Sequence, residues 1–300
     1  MTASTPHARA LDDEPGLPPL RPPSADNGLI GVLRRRYLLK LLVTREISAR
    51  YQGSFLGLLW SYINPLTQFF IYYFVMGFIF NLHGDIPNFA IHLFSGLIIV
   101  HFFTETFGAG TRSIVRNRAL VVKMAMPREM FPVATMLVSL YHVVPQIVIL
   151  VVADVLLGWR PDPVGMLAML LAILIIAVLG IAGALFFSAA NVFFSDFGNI
   201  VGVFNNFVRW GVPMMYSYSM VGDRFGRFAH YYLYNPLADA VLLFQRAFWV
   251  GTVPKNHKSV SAMPEHLIMN GFVILGASLV VLAVAQFVFS RLENKIPERL

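Results

Sequence analysis

The chain has 300 residues, 57% of them hydrophobic and only 13% charged, where soluble domains carry roughly 45–50% and about 25%. Half the usual charge cannot coat a water-soluble globule of 33.6 kDa, so the composition describes a protein dissolved in lipid. The lack of cysteine excludes disulfides, iron–sulfur clusters, thiolate zinc sites and cysteine nucleophiles; the formal charge of +7 reads as basic residues in cytoplasmic loops, not as a nucleic-acid footprint.

In chain order, residues 1–28 are rich in Pro, Ala and Asp and lack every feature of a signal peptide. They are expected to form a disordered cytoplasmic tail. Residues 29–52 set Arg34, Arg35, Arg36, Lys40, Arg45 and Arg50 among leucines, which suits a helix lying on the membrane surface. A spanning helix needs about 20 mostly apolar residues. Within 53–292, runs of that kind with at most one charged residue each cover roughly 56–80, 89–110, 131–157, 166–187, 201–218 and 267–289. The stretch 231–250 differs: Asn235-Pro236 breaks it, and it carries Asp239 and Arg246. The short helix left over suits a re-entrant or interfacial hairpin. Residues 293–300 close the chain as a cytoplasmic tail. The fold class expected is an all-α integral membrane protein with six transmembrane helices, a membrane-interface helix before the first and a re-entrant hairpin between the fifth and sixth.

Lys and Arg orient these spans. Besides the six of the interface segment, Arg112, Arg116, Arg118, Lys123 and Arg128 follow the second span, and Arg291, Lys295 and Arg299 follow the last. The other side receives Arg160, Arg224, Arg227, Arg246, Lys255 and Lys258. The excess places both termini in the cytoplasm of a multi-pass protein of the cytoplasmic membrane. No repeat of the two halves is visible, which weakens the case for a secondary transporter built on internal repeats.

Polar side chains within lipid mark either helix packing or a wetted path. In the first span Ser61, Asn64, Gln68 and Tyr72 fall on one helical face. Thr135, Ser139, His142 and Gln146 repeat this in the third, and Gly198, Gly202, Asn205, Arg209 and Tyr216 in the fifth. The third stripe, whose polar groups are small, reads as a packing seam before a wetted path. Asn64, Gln68 and Arg209 are costly without water or a polar ligand: an arginine at a helix centre costs roughly 2.5–3.5 kcal/mol on insertion scales. Arg209 is matched either by Glu105 or Asp196, or by an anionic group of a substrate. The many Tyr and Trp residues serve either as interfacial belts or as rings along which a sugar polymer slides. Gly53-x-x-x-Gly57 and Gly198-x-x-x-Gly202 carry the spacing of close helix approach.

No Gly-Lys dipeptide occurs, so the chain has no P-loop, and paired intramembrane carboxylates of the proton-coupled kind are thin. The engine is expected in a partner protein. The segment 116–129, charged and bounded by Pro127 and Pro132, is either its socket, through Arg116, Arg118, Lys123, Arg128 and Glu129, or merely a positive-inside loop.

Arg50 to Leu66, RYQGSFLGLLWSYINPL, resembles the opening of the first span in type-2 ABC export permeases for bacterial polysaccharides, the O-antigen, teichoic acid, capsule and galactan exporters. The basic loop 118–128, VFFSDFGNI at 192–200 and YNPLADAVLLFQRAF at 234–248 agree with it. In other members Ser195-Asp196 often reads Arg-Asp, so a role carried by that basic residue does not transfer. The resemblance implies a homodimer, bound to two copies of a nucleotide-binding subunit that holds ATP and Mg; this chain itself carries no cofactor, metal or catalytic residue. It implies a channel at the dimer seam between spans one and five, and as cargo a glycan on a polyprenyl diphosphate. Arg50 or Arg209 would receive the diphosphate, while Tyr72 and Tyr216 contact sugars. The rival readings are an ABC exporter of another lipid or drug, and a membrane glycan-modifying enzyme using His230, Asp223 and Arg227.

Overall fold

The computed structural model describes residues 28–124, 126–254, 257, 260 and 263–300. The tail expected at 1–28, apart from Gly28, lies outside the described residues, as do Lys255 and Lys258. Among the described residues all regular structure is helical, and four helices are long and apolar enough to cross a membrane.

The basic segment forms α1 (Leu29–Arg34) and α2 (Arg36–Tyr51), parted by a non-helical Arg35. The next segment is a relay: a 3₁₀ turn at Gly57–Leu59, α3 (Trp60–Tyr72) and a π-helical stretch Tyr73–Ile79. Pro65 sits inside α3, and its missing N–H weakens the regular ladder. A single turn, α4 (Leu82–Asp85), leads to the long helix α5 (Phe89–Thr111). Short helices α6 (Ser113–Arg116) and α7 (Arg118–Lys123) precede α8 (Met130–Leu156) and the 31-residue α9 (Pro163–Phe193). Then come α10 (Phe197–Gly211), α11 (Tyr218–Phe225), a 3₁₀ stretch Gly226–Tyr234, and α12 (Pro236–Ala247). The chain ends in α13 (Leu267–Leu292) and the single turn α14 (Ile296–Arg299).

Apart from the face that carries His101 and Glu105, helix α5 is largely apolar, and it is buried along nearly its entire length. Helix α9 packs against α5, α12 and α13. Small residues permit the closest approaches: a Cβ added at Gly110 would lie 2.4 Å from Ala184 Cβ, and one at Gly96 would lie 2.5 Å from Met214 Cβ. The main core collects α5, α9 and α12. A second core gathers Val32, Leu42, Val121, Phe131, Phe289 and Ile296, so α1, α2, α7, α8, α13 and α14 meet at the basic end.

Several expectations are corrected. The stretch 201–218 is not one helix: α10 stops at Gly211, and Val212 is extended. Pro213 follows directly, and proline disfavours helix at the residue before it. Tyr216 therefore leaves the face that carries Asn205 and Arg209. Gly53 and Gly57 do not form a helix-packing motif; both have left-handed φ (76° and 49°) and make the turn into the relay. Pro132 does not bound the segment 116–129, since it belongs to the first turn of α8, where no N–H is needed, and within the segment the helix breaks at Asn117. Residues 293–300 are not a free tail: helical structure continues, with Ile296 fully buried. The break at Asn235-Pro236 is as read; Asn235 caps α12 by accepting from Leu237 N at 3.0 Å, and α12 has 12 residues.

Candidate substrate and coupling site

The sequence's charged and polar residues converge where α2 meets α5, α6 and α8. Arg50, at the end of α2, forms an ion pair with Glu105 on α5. Four residues on from Glu46, the same helix thus makes a second link: Glu46 is bound by Arg116 and, at 2.9 Å, by Asn117 Nδ2. Arg45 Nη1 donates to Asn117 Oδ1 at 3.1 Å. Positions 45, 46, 49 and 50 lie on one face of a helix, which is why α2 can present all these groups to the bundle together. Tyr51 extends the network, bonding Ser61 at the head of α3 and lying 3.2 Å from His142 Nε2. Gln146 Nε2 in turn donates to the His142 carbonyl at 3.1 Å and lies 3.4 Å from His101 Nδ1.

Two cavities open on either side of the Arg50–Glu105 pair. One, of about 230 Å³, is walled by Arg45, Glu46, Arg116, Asn117, Thr135 and Ser139. The other, of about 260 Å³, is lined by Tyr51, Trp60, Ser61, Asn64, His101 and His142.

The sequence-derived residues distribute as follows. Ser61 and Asn64 face the second cavity, Asn64 being exposed. Gln68 and Tyr72 continue the stripe away from it, Gln68 Nε2 donating to Tyr72 Oη at 3.3 Å. Asn205 is buried and donates to the Thr104 carbonyl at 3.1 Å, so it is a seam between α10 and α5. Arg209 is half-buried and forms no ion pair with Glu105 or Asp196; Glu105 is engaged by Arg50 instead. Tyr216 sits beyond α10, bonded at 3.0 Å to Tyr232. The third-span stripe Thr135, Ser139, His142 and Gln146 is buried as a packing seam would be, yet Thr135 and Ser139 wall the first cavity and His142 the second.

The socket residues divide. Arg116, Arg118 and Lys123 are exposed. Glu129 is fully buried and accepts from Gln286 of α13 at 2.9 Å, while Arg128 donates to the Glu293 carbonyl at 2.7 Å. These last two tie the loop to α13 and to the residue that follows it. His230 and Arg227 are exposed surface residues, His230 Nδ1 donating to the Arg227 carbonyl at 2.6 Å. No cluster able to hold a metal ion occurs among the described residues.

A polar junction between a basic helix and an apolar bundle suits a transporter. The profile of the ABC-2 type transporter family matches residues 37–249. The chain belongs to that family. It is 30% identical over 220 residues to an O-antigen export system permease protein, RfbA, of Myxococcus xanthus, covering 73% of this chain and 83% of the relative. An RfbA of Klebsiella pneumoniae is 26% identical over 261 residues, covering 85% and 94%. The capsule polysaccharide export inner-membrane protein CtrC of Neisseria meningitidis is 22% identical over 256 residues, covering 85% and 93%. The similarity to type-2 ABC polysaccharide export permeases thus extends over most of the chain, and membership makes it a multi-pass transport component.

Sequence reasoning missed His101 and the Glu46–Asn117 link. His101 had a signal, since it precedes Glu105 by one helical turn and so shares its face. The link to Asn117 had none, because its partners are 71 residues apart in the chain.

Proposed function

We propose that this ABC-2 family chain is the membrane subunit of an exporter for a polyprenyl-diphosphate-linked polysaccharide, of the O-antigen or cell-wall galactan type. In this reading two copies pair, and each binds a separate subunit that hydrolyses ATP with Mg. The relay 57–79 and helix α10 complete six crossings with the four long helices, α12 follows a re-entrant course, and the basic end with both termini is cytoplasmic. Arg116, Arg118 and Lys123 then meet the ATPase subunit, and Arg50 or Arg209 receives the diphosphate.

The observation that carries the reading is the meeting of Tyr72 and Trp210, rings edge to face with centroids 6.4 Å apart. It joins the relay to α10 beside apolar faces that the protomer leaves open: Phe70, Ile71 and Phe74 on one, Val203, Phe204 and Phe207 on the other. A second copy covering these faces would leave a seam edged by aromatic rings and by Arg209. Rings of this kind give a sugar polymer broad contact without tight binding at any one point. The names of the relatives favour a polysaccharide over a drug or simple lipid.

The test is purification with the ATPase subunit, followed by ATP turnover with and without the lipid-linked glycan. A stable complex whose turnover changes with the glycan is expected; a chain that purifies alone and binds no ATPase overturns the reading. Arg118→Glu with Lys123→Glu should abolish the complex while the chain still folds. Arg209→Leu should cut export and leave the homodimer assembled; unaltered export removes Arg209 from the path.

A further inference from the structure

We propose that Arg50 is a phosphate site for a lipid-borne phosphate or diphosphate, with Glu105 as a resident counter-ion that the incoming anion displaces. The inference rests on the export reading only for the source of that phosphate.

The Arg50–Glu105 contact runs through one guanidinium nitrogen and one carboxylate oxygen. A guanidinium presents five donors in a planar fork that matches phosphate bidentately, so the single contact with Glu105, even with a bond to Tyr51 beside it, leaves part of that capacity unspent. The pair is also reachable: the side chains are 39% and 26% exposed. Both cavities open onto it, and their volumes of about 230 and 260 Å³ are many times the roughly 10–15 Å³ that one water requires.

The larger cavity is built for an anion once Glu105 moves. Its other polar walls are the hydroxyls of Tyr51 and Ser61, the amide of Asn64 and the two histidines, and Glu105 is the only acid among its lining residues. An arginine in a half-dry site needs a counter-charge when the site is empty. Glu105 supplies it without the geometry of a permanent bidentate pair. A displaced carboxylate needs a new partner, and His101 and His142 are close enough to act on its charge. Next to the cavity in the chain, Phe55 and Leu59 are exposed apolar side chains, which offers the hydrocarbon tail of a lipid a surface beside its head group. A free carboxylate ligand would only exchange one single-bonded carboxylate for another. A phosphate adds charge and a second parallel bond, which favours the exchange.

The experiment uses the full chain in nanodiscs of neutral lipid and measures binding of farnesyl diphosphate, inorganic pyrophosphate and phosphatidylglycerol. Farnesyl diphosphate is expected to bind. Glu105→Gln should tighten it by roughly tenfold, on the scale of one charge-assisted hydrogen bond. Arg50→Gln should weaken it at least as much. The double variant Arg50→Gln with Glu105→Gln carries no orphan charge, so it guards against misfolding and should still bind weakly. Phosphatidylglycerol that competes with the same dependence on both residues supports the site and makes bulk phospholipid the source. Inorganic pyrophosphate binding equally well supports it with the free anion as ligand. Binding unchanged or weaker in Glu105→Gln, or unchanged in Arg50→Gln, overturns the site. If Arg50→Gln abolishes glycan export without altering farnesyl diphosphate binding, the site falls and the export reading stands. If binding behaves as expected in a chain that exports no glycan, the export reading falls and the site stands.

Discussion

The two ends of the molecule attach their peripheral helices by different physics. At the basic end α2 buries a single side chain, Leu42, and is tied down by Arg50–Glu105, Arg116–Glu46 and the bond from Arg45 to Asn117. At the opposite end α12 buries ten of its 12 residues. Side chains there lock onto backbone carbonyls: Trp249 Nε1 donates to Pro87 O at 2.7 Å, Gln245 Nε2 to Pro213 O at 2.9 Å and Trp159 Nε1 to Ala247 O at 3.1 Å. Partly exposed ion pairs contribute roughly 0–1 kcal/mol each, and another charge can take the place of either partner. Buried apolar contact offers no such exchange. Helix α2 is therefore the element suited to respond to a charged ligand or a partner, and α12 the one suited to stay fixed.

The contrast predicts where the chain will break. Trp249→Ala at the fixed end removes a fully buried indole that also lies edge-on to His92; a loss of about 3–5 kcal/mol is expected, read as a sharp fall in thermal stability of the purified protein. Next comes Gly110→Val, which forces a side chain into the 2.4 Å gap to Ala184. Overpacking of this kind costs about 1–3 kcal/mol, and equal stability in the variant would mean that α5 and α9 can separate. At the basic end Asn117→Ala, which removes the bonds to Arg45 and Glu46 and leaves Glu46 only its ion pair with Arg116, should cost only about 1 kcal/mol yet raise hydrogen exchange selectively along α2. Uniform protection there would contradict the view that α2 is held by polar ties.

The smallest effect belongs to the ion pair Arg246–Asp162 at the fixed end. Arg246 binds Asp162 through two bonds, of 3.1 and 2.9 Å, and this hydrogen bonding holds the Asp162 carboxyl below the usual carboxylate range. A depressed native value means the pair's contribution is complete above the ordinary aspartate pKa of about 3.9 and is lost as pH falls through the lower folded value. Because the pair is partly solvent-exposed, Asp162→Asn should cost well under about 1 kcal/mol. Its stability difference from wild type should be flat from neutral pH to mild acid and vanish only below about pH 4; a difference that changes near pH 6 would point to another group.

Much of the site's chemistry was legible one helix at a time. The Ser61–Asn64 face and the Thr135–Gln146 stripe follow from spacing, since one turn of a helix sets which residues share a face. What spacing could not supply was the pairing between helices. Glu105 could not be matched to Arg50 from spacing, because the two are 55 residues apart in the chain. Arg209 looked in need of an acid on the same grounds, and Glu105 was a reasonable candidate until α2 claimed it.

The sequence by itself determined that this is a helical membrane protein, where its long apolar helices run and which end is basic, because those properties depend on composition and local periodicity, which need no partner. It also held the break at Asn235-Pro236, since proline acts on its own backbone and its immediate neighbour. Only the tertiary structure decided that Glu105 serves Arg50 instead of Arg209, that Glu129 is an anchor to Gln286, and that residues 293–300 pack into a core. Each of these depends on contacts between segments distant in the chain, which are chosen by how whole helices pack against one another.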